Sequence, residues 1–318
     1  MAAAPAPVRL PARLRPGDRV AVLAPSSPFP QETFDAGLAV LRDWGLVPQP
    51  LVHPAAGPLV YLAGADWQRA DALDRALRDG WACALWCARG GYGAGRLLDL
   101  LDWRPLRARP RAIVGFSDVS VLHLAALVHA RVGGVHAPLL TTLAGSTPAV
   151  REATRRLLLD GEAPVLRAAA GAARAAPGVT PRVDGPLLVA NLATLASLVG
   201  TRDLPSLDGW IVLLEDVHER AYRVDRMLTQ LVRAGVLYGV AGVAIGDFSG
   251  VRAADGTGPD AADVFQDRLT ALAVPFAAGF SVGHIAANEP AIIGARYAFD
   301  AELGTLTPLE SLAAPDPL

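Results

Sequence analysis

Ser117 lies in Ile113-Val114-Gly115-Phe116-Ser117-Asp118-Val119-Ser120, where an apolar run ends and a helical pattern begins. A small residue two positions before a serine lets the backbone turn sharply. Such a strand-to-helix turn lifts the hydroxyl clear of the sheet as a nucleophile. The N–H groups that open the next helix then face a developing oxyanion. The second glycine usual in such an elbow is absent here, and a serine in this place also reads as a helix cap. Nucleophilic serine chemistry needs a base and an acid that orients it. The histidines are His53, His123, His129, His136, His218 and His284. His123 and His129 fall in the helix after Ser117 and read as core or surface. His53 borders a Pro/Gly loop, and His136 ends a strand, a place that can line a cleft. His284, in Val282-Gly283-His284-Ile285, reads either as the base or as a structural histidine. Glu215 closes an unbroken apolar strand, where α/β folds keep their sites. It could instead cap the following helix, a role that Asp216 and Glu219 could also fill.

The run Arg89-Gly90-Gly91-Tyr92-Gly93-Ala94-Gly95 follows a strand and precedes a helical stretch at 96–101. Its glycines let backbone N–H groups approach a ligand closely. The spacing is not Gly-x-Gly-x-x-Gly, and no acidic residue follows about twenty positions on in a strand context. The loop therefore reads as a cradle for an oxyanion or carboxylate in preference to a dinucleotide site.

These residues need a frame, and the first half of the chain supplies alternating elements. Short apolar runs at 19–23, 46–52, 82–87 and 111–114 read as strands. The stretches 32–44, 66–78 and 119–130 carry helical spacing of apolar residues. Buried strands without polar alternation, separated by helices, indicate a parallel sheet covered on both faces. Periodicity fails over 160–184, a stretch rich in Ala, Pro, Gly and Arg, which reads as a linker. Beyond it, strands are expected at 209–215 and 240–245 and helices at 220–233 and 260–272. Short strands are expected at 280–285, 296–300 and 304–307. The fold class is thus α/β: an N-terminal parallel-sheet domain (1–159), a linker (160–184) and a smaller C-terminal α/β domain (185–318), with the site in the cleft between them.

The 318 residues are 52% hydrophobic and 19% charged, so a large core is available. A net charge of −2 argues against nucleic acid or an anionic membrane as partner. All 29 basic side chains are arginine, which reads as a coding bias. Cys83 and Cys87, on one apparent strand, are too far apart to bond and read as buried apolar thiols. No His or Cys pair stands at zinc spacing, so no metal is expected. The N-terminus lacks the apolar run of a signal peptide and no stretch is long enough to span a bilayer. A cytoplasmic protein is the expectation.

Taken together, the segments resemble the LD-carboxypeptidases, serine peptidases that also include the microcin C immunity peptidases. The resemblance runs from Gly17-Asp18-Arg19-Val20 to Gly304-Thr305-Leu306-Thr307. It is carried by Ala24-Pro25-Ser26-Ser27, Arg89-Gly90-Gly91-Tyr92-Gly93, Gly115-Phe116-Ser117-Asp118 and Asn191-Leu192 with Gly200-Thr201. Leu214-Glu215-Asp216-Val217, leading to Tyr222-Arg223-Val224-Asp225-Arg226, and then Gly283-His284 complete it in the same order. The resemblance implies Ser117 as nucleophile, His284 as general base and Glu215 as its orienting acid. It implies the backbone N–H groups of Gly91 and Asp118 as oxyanion hole, and a C-terminal domain built on a barrel-like sheet. Arg89, Gly90, Tyr92, Asn191 and Arg223 are candidates for substrate binding.

By the same resemblance the substrate is the murein tetrapeptide, cut between the L-centre of meso-diaminopimelate and the terminal D-Ala during cell-wall recycling. No cofactor is needed, and a homodimer is implied. An acyl-adenylate antibiotic is the alternative substrate, and a non-catalytic cleft-binding protein is a third reading. Two departures from the family pattern bear on the pocket. Val189-Ala190 stands where a Gly-Gly pair is usual, and Ile285-Ala286-Ala287 replaces a more polar step before Asn288.

Overall fold

The computed structural model describes residues 7–52, 59–169, 179–251 and 260–314. His53 and much of the 160–184 stretch lie outside them. The chain forms two compact units. The first holds Val8–Ala163 with Glu289–Gly294 and the chain end; the second holds Pro164–Asn288 and Ala295–Glu310. The chain therefore returns twice to the first unit after the point where the sequence reading starts its second domain.

In the first unit the strands are β1 (Arg19–Leu23), β2 (Val47–Pro50), β3 (Ala84–Cys87), β4 (Ala112–Gly115) and β5 (Gly134–His136). The helices are α1 (Gln31–Asp43), α2 (Asp66–Arg78), α3 (Arg104–Ala108), α4 (Ser120–His129), α5 (Leu140–Leu143) and α6 (Pro148–Asp160). Helix α6 is well signalled: Thr147 accepts from Val150 N–H at 3.3 Å, Pro148 fills the first turn, and Gly161 closes it at φ +82°.

The second unit contains β6 (Leu166–Arg167), β7 (Arg182–Asn191), β8 (Ile211–Glu215), β9 (Gly242–Ile245) and β10 (Phe276–Ala278). Strand β11 (Ala291–Ile293) belongs to the first unit, and β12 (Arg296–Asp300) and β13 (Thr305–Pro308) return to the second. Helices α7 (Leu192–Ser197), α8 (Ala221–Arg233) and α9 (Ala261–Leu272) complete it.

The first sheet has the order β11-β5-β4-β3-β1-β2. Strands β1 to β5 pair in parallel and β11 adds antiparallel to β5. Its centre is dry: Val20, Ala21, Val22 and Leu85 are fully buried. Each large aliphatic side chain buried this way contributes about 1.5–3 kcal/mol. Strand β2 carries two prolines, which an edge position tolerates.

The second sheet has the order β10-β9-β8-β7-β12-β13-β6. Strand β7 is its hinge. Residues 182–186 pair antiparallel with β12, whereas Leu187 to Asn191 pair in parallel with β8. The barrel expected here is not a continuous ladder among the described residues. One antiparallel bridge, Ala168 to Phe280, joins the outer strands.

Two sequence expectations need correction. The linker contributes strand β6 and the start of β7. The strand expected at 280–285 is instead Phe276–Ala278, because Gly279 and Gly283 take φ of +91° and +139° and break extension. Cys87 is buried, as expected, and burial pushes its thiol up; Cys83 precedes β3 and is only half-buried. Among the described residues no helix is long and apolar enough to cross a membrane.

Candidate active site

The order of the first sheet fixes where a ligand can sit. Strands β1 and β3 are neighbours, with β2 on one side and β4 on the other. At such a switch point the connections leave in opposite directions and open a crevice at the carboxyl ends of the strands. Ser26 and Ser27 follow β1, the glycine loop follows β3, and Ser117 follows β4.

Ser117 has φ +65°, in the left-handed region. For a residue with a Cβ this costs roughly 1–2 kcal/mol. Chain geometry enforces it: β4 ends at Gly115 and a 3₁₀ turn over Ser117–Val119 leads into α4. Gly115 itself has φ +155°, and a Cβ there would lie 3.2 Å from both Val119 γ-carbons. The glycine loop packs directly on the serine. A Cβ on Gly90 would come within 2.9 Å of Ser117 Cβ and 3.0 Å of Oγ.

Gly91 has φ +99°, and a Cβ there would meet Ser27 Oγ at 2.4 Å. Ser27 clamps the loop: its N–H donates to Gly90 O and its Oγ accepts from Tyr92 N–H, each at 3.2 Å. Tyr92 is exposed, its ring 6.1 Å from that of Tyr61. Arg89 is exposed and donates to Pro28 O at 2.7 Å.

In the second unit the carboxyl ends of the parallel strands again carry the polar groups. Asn191 ends β7 and is paired in register with Glu215, which ends β8. Glu215 is fully buried and His284 Nδ1 lies 2.7 Å from its Oε2. A carboxylate can only accept, so Nδ1 carries the proton and Nε2 is the basic nitrogen. Gly283 makes this approach possible, since a Cβ there would stand 3.1 Å from Glu215 Oε2 and 3.0 Å from Asp247 Cβ.

The loop bearing His284 is tied down by Gly283 N–H to Asn288 Oδ1 at 2.8 Å and by Asp247 N–H to Val282 O at 2.7 Å. Asn191 caps α7 through Thr194 N–H at 3.0 Å and donates to Asp216 Oδ1 at 3.1 Å. Asp216 also receives Ala193 N–H at 2.9 Å and Val217 N–H at 2.8 Å. Arg223, on α8, pairs with Glu219 at 2.8 Å.

Burial pushes the Glu215 carboxyl up, against the opposing pull of the His284 hydrogen bond. Burial would lower the His284 imidazole, but the Glu215 hydrogen bond and the charges of Glu215, Asp216 and Asp247 outweigh it. The net direction for His284 is upward. The other histidines differ in kind. His123 is fully buried, gives Nε2 to Ile113 O at 3.0 Å, and is pushed down to about 4 by burial. His136 is buried with its ring 5.5 Å from that of Phe116.

Several polar residues of these two sites had no distinct signal in the sequence. Asp247 and Arg69 belong to no motif that the sequence singles out; Ser26, Asp216 and Asn288 fall in or beside segments of the family resemblance, but it assigns their side chains no site role. Among the described residues no cluster of three or more His, Cys, Asp or Glu side chains could hold a metal ion.

The first unit thus presents a parallel α/β sheet with a strained serine turn, and the second a carboxylate-held imidazole. The peptidase class follows from the comparisons with known proteins. A model of the LD-carboxypeptidase N-terminal domain matches residues 20–137, and one of the LD-carboxypeptidase C-terminal domain matches 184–299. The murein tetrapeptide carboxypeptidase of Pseudomonas aeruginosa is 36% identical over 278 residues, covering 85% of this chain and 89% of that protein. A Streptomyces coelicolor protein with a provisional carboxypeptidase name is 40% identical over 93% of this chain and 95% of its own. Among solved structures, the muramoyltetrapeptide carboxypeptidase from Oxalobacter formigenes superposes with a TM-score of 0.80 at 24% identity, covering 91% of this chain and 97% of that one. The microcin C7 self immunity protein MccF gives 0.83 at 19%, over 96% and 99%. At these identities the structural likeness is one of fold. The chain belongs to the LD-carboxypeptidase family.

Proposed function

We propose that this chain is a serine LD-carboxypeptidase that releases the terminal D-Ala from murein tetrapeptides by cutting its bond to the L-centre of meso-diaminopimelate. The observation that carries the reading is Ser117 at φ +65° beneath a glycine loop that leaves no room for a Cβ at residue 90. The choice of substrate is supported by the Pseudomonas aeruginosa relative, 36% identical and named a murein tetrapeptide carboxypeptidase.

Ser117 Oγ attacks the scissile carbonyl and His284 Nε2 takes its proton. Glu215 holds the imidazole in the Nδ1–H tautomer and stabilises the imidazolium that forms. The N–H groups of Gly91 and Asp118 receive the oxyanion, and each such donor is worth about 3 kcal/mol in the transition state. His284 then protonates the leaving D-Ala amine, and water, activated by the same imidazole, hydrolyses the acyl-enzyme. Of the arginine candidates, exposed Arg89 at the root of the glycine loop is the better anchor for the substrate's terminal carboxylate, because its partner is the neutral Pro28 carbonyl whereas the charge of Arg223 is met by Glu219. Asn191 acts through the Glu215 strand end, as its bond to Asp216 suggests. A cytoplasmic homodimer goes with this reading; sedimentation of the purified chain checks the dimer.

The test is release of D-Ala from L-Ala-γ-D-Glu-meso-diaminopimelate-D-Ala. Wild type should release it and be labelled by a fluorophosphonate. Ser117→Ala should do neither while keeping its far-UV circular dichroism. Turnover by Ser117→Ala near the wild-type rate would sink the mechanism. Labelling without release would keep the nucleophile and overturn the substrate.

A further inference from the structure

We propose that the Asp118 side chain, tied to Ser26 and Ala94 and backed by Arg69, is the positioning group that sets the spacing of the two oxyanion-binding N–H groups. The inference rests on the reading of the site above, in which those donors are Gly91 and Asp118 itself. Oxyanion donors accelerate a reaction only when held in advance about 2.7–3.1 Å from where the charge will form. Here the two lie on different loops, one after β3 and one after β4. The first loop has glycines at φ +99° and +129°, residues that lose the most freedom on ordering. Something must fix one loop against the other.

Asp118 does this with one oxygen. Its Oδ2 accepts from Ser26 Oγ at 2.6 Å and from Ala94 N–H at 2.8 Å. The residue that bears one donor thus grips the loop that bears the other, and also the loop after β1. All three residues are buried. Both of its partners are held from behind by a single guanidinium. Arg69, 3% exposed, donates through Nη1 to the carbonyl of Gly93, beside Ala94, at 2.9 Å, and to that of Pro25, beside Ser26. Its Nε reaches Gly64 O at 3.3 Å, and it pairs with Asp66, which also binds Arg96.

Gly93 must be glycine for this arrangement, since a Cβ there would lie 2.9 Å from Arg69 Nη1 and 2.5 Å from Leu62 Cδ2. The positive charge of Arg69 also favours the ionised form of Asp118, against burial, which pushes that carboxyl up. A carboxylate so placed does not touch substrate; it acts through the N–H groups that do.

The experiment compares wild type with Ser26→Ala, Asp118→Asn and Arg69→Lys, all as full-length chains. The first readout is the second-order rate of Ser117 phosphonylation by a fluorophosphonate, which builds charge on an oxygen in the same hole and needs no knowledge of the natural substrate. The second is kcat and KM on the murein tetrapeptide. Ser26→Ala and Asp118→Asn should slow both phosphonylation and kcat by about 10–100-fold, with KM within about threefold. Arg69→Lys should give a smaller loss of the same kind. A role in folding alone would lower the melting temperature and leave the rates of the folded fraction within about twofold of wild type, which overturns the proposal. If Asp118→Asn does not fold, Ser26→Ala decides by the same criteria. Wild type that neither reacts nor turns over would overturn the catalytic reading itself. Wild-type reactivity with unchanged variants would overturn only the role of Asp118.

Discussion

The serine region and the histidine region reach their chemistry by different balances of backbone and side chain. Around Ser117 the backbone does the shaping. Gly90, Gly91, Gly93, Gly115 and Ser117 itself bend or pack where a Cβ would collide or strain the chain. Around His284 side chains do most of it, with a fully buried carboxylate 2.7 Å from the ring and the Asp216 and Asn288 side chains fixing the loops, while Gly283 supplies a close approach of backbone. A region shaped by missing atoms fails when atoms are added. A region shaped by hydrogen bonds fails when a charge or an acceptor is removed, even with volume kept.

That contrast is sharpest at Glu215. Glu215→Gln keeps the shape but presents an amide that favours the wrong imidazole tautomer, and kcat should fall by about 10³–10⁴-fold with little change in circular dichroism. Steady-state kinetics on D-Ala release measures it; a loss below tenfold would mean that Glu215 does not orient His284.

The matching challenge to the serine region is Gly90→Ala. Its methyl would stand 2.9 Å from Ser117 Cβ, so either the loop or the nucleophile must shift. A fall in kcat of about 10–100-fold is expected, because a displacement near 1 Å is enough for a loss of that order. An unchanged kcat would show that the loop does not bear on the serine.

A gentler probe is pH. His284 is raised by its acidic neighbours, so its protonated form persists to higher pH than in an ordinary histidine. Catalysis uses the neutral ring. The acid limb of kcat/KM should therefore lie above the usual value of about 6.5, with activity lost as pH falls through it. Glu215→Gln should move that limb downward in whatever activity remains. A wild-type limb at or below about 6.5 would contradict the charge environment described here.

The smallest expected effect concerns stability. Ser117→Ala and Ser117→Gly both lack the hydroxyl, but only glycine is at ease at φ +65°. The glycine variant should be the more stable of the two by about 1 kcal/mol in urea unfolding. Equal stability would mean that the turn stores no strain.

Much of this was legible along the chain. Unbroken apolar runs such as Val20 to Leu23 announced buried parallel strands, because a strand covered on both faces has no polar face to show. The sharp turn at Ser117 was legible because it needs a small residue two positions earlier and a helix just after. Glu215 was legible as the carboxylate that closes an apolar strand, but the strand alone fits a site residue and a cap of the next helix alike. These are local rules, in which a few adjacent residues set backbone geometry.

Local pattern did not decide which distant groups meet: the resemblance alone linked Glu215 to His284, and the tertiary structure supplied the rest. Glu215 and His284 are 69 residues apart in the chain, and Ser26 and Asp118 are 92 apart. Periodicity says nothing about such pairs, so Asp247 and Arg69 carried no signal. The same holds for β11, which leaves the second unit's stretch of chain to pair with β5. It holds too for β7, which changes partner between Pro186 and Leu187. Local sequence fixes dihedral preferences and burial. Partnership between remote residues depends on how the elements pack, and that is settled only when the whole core forms.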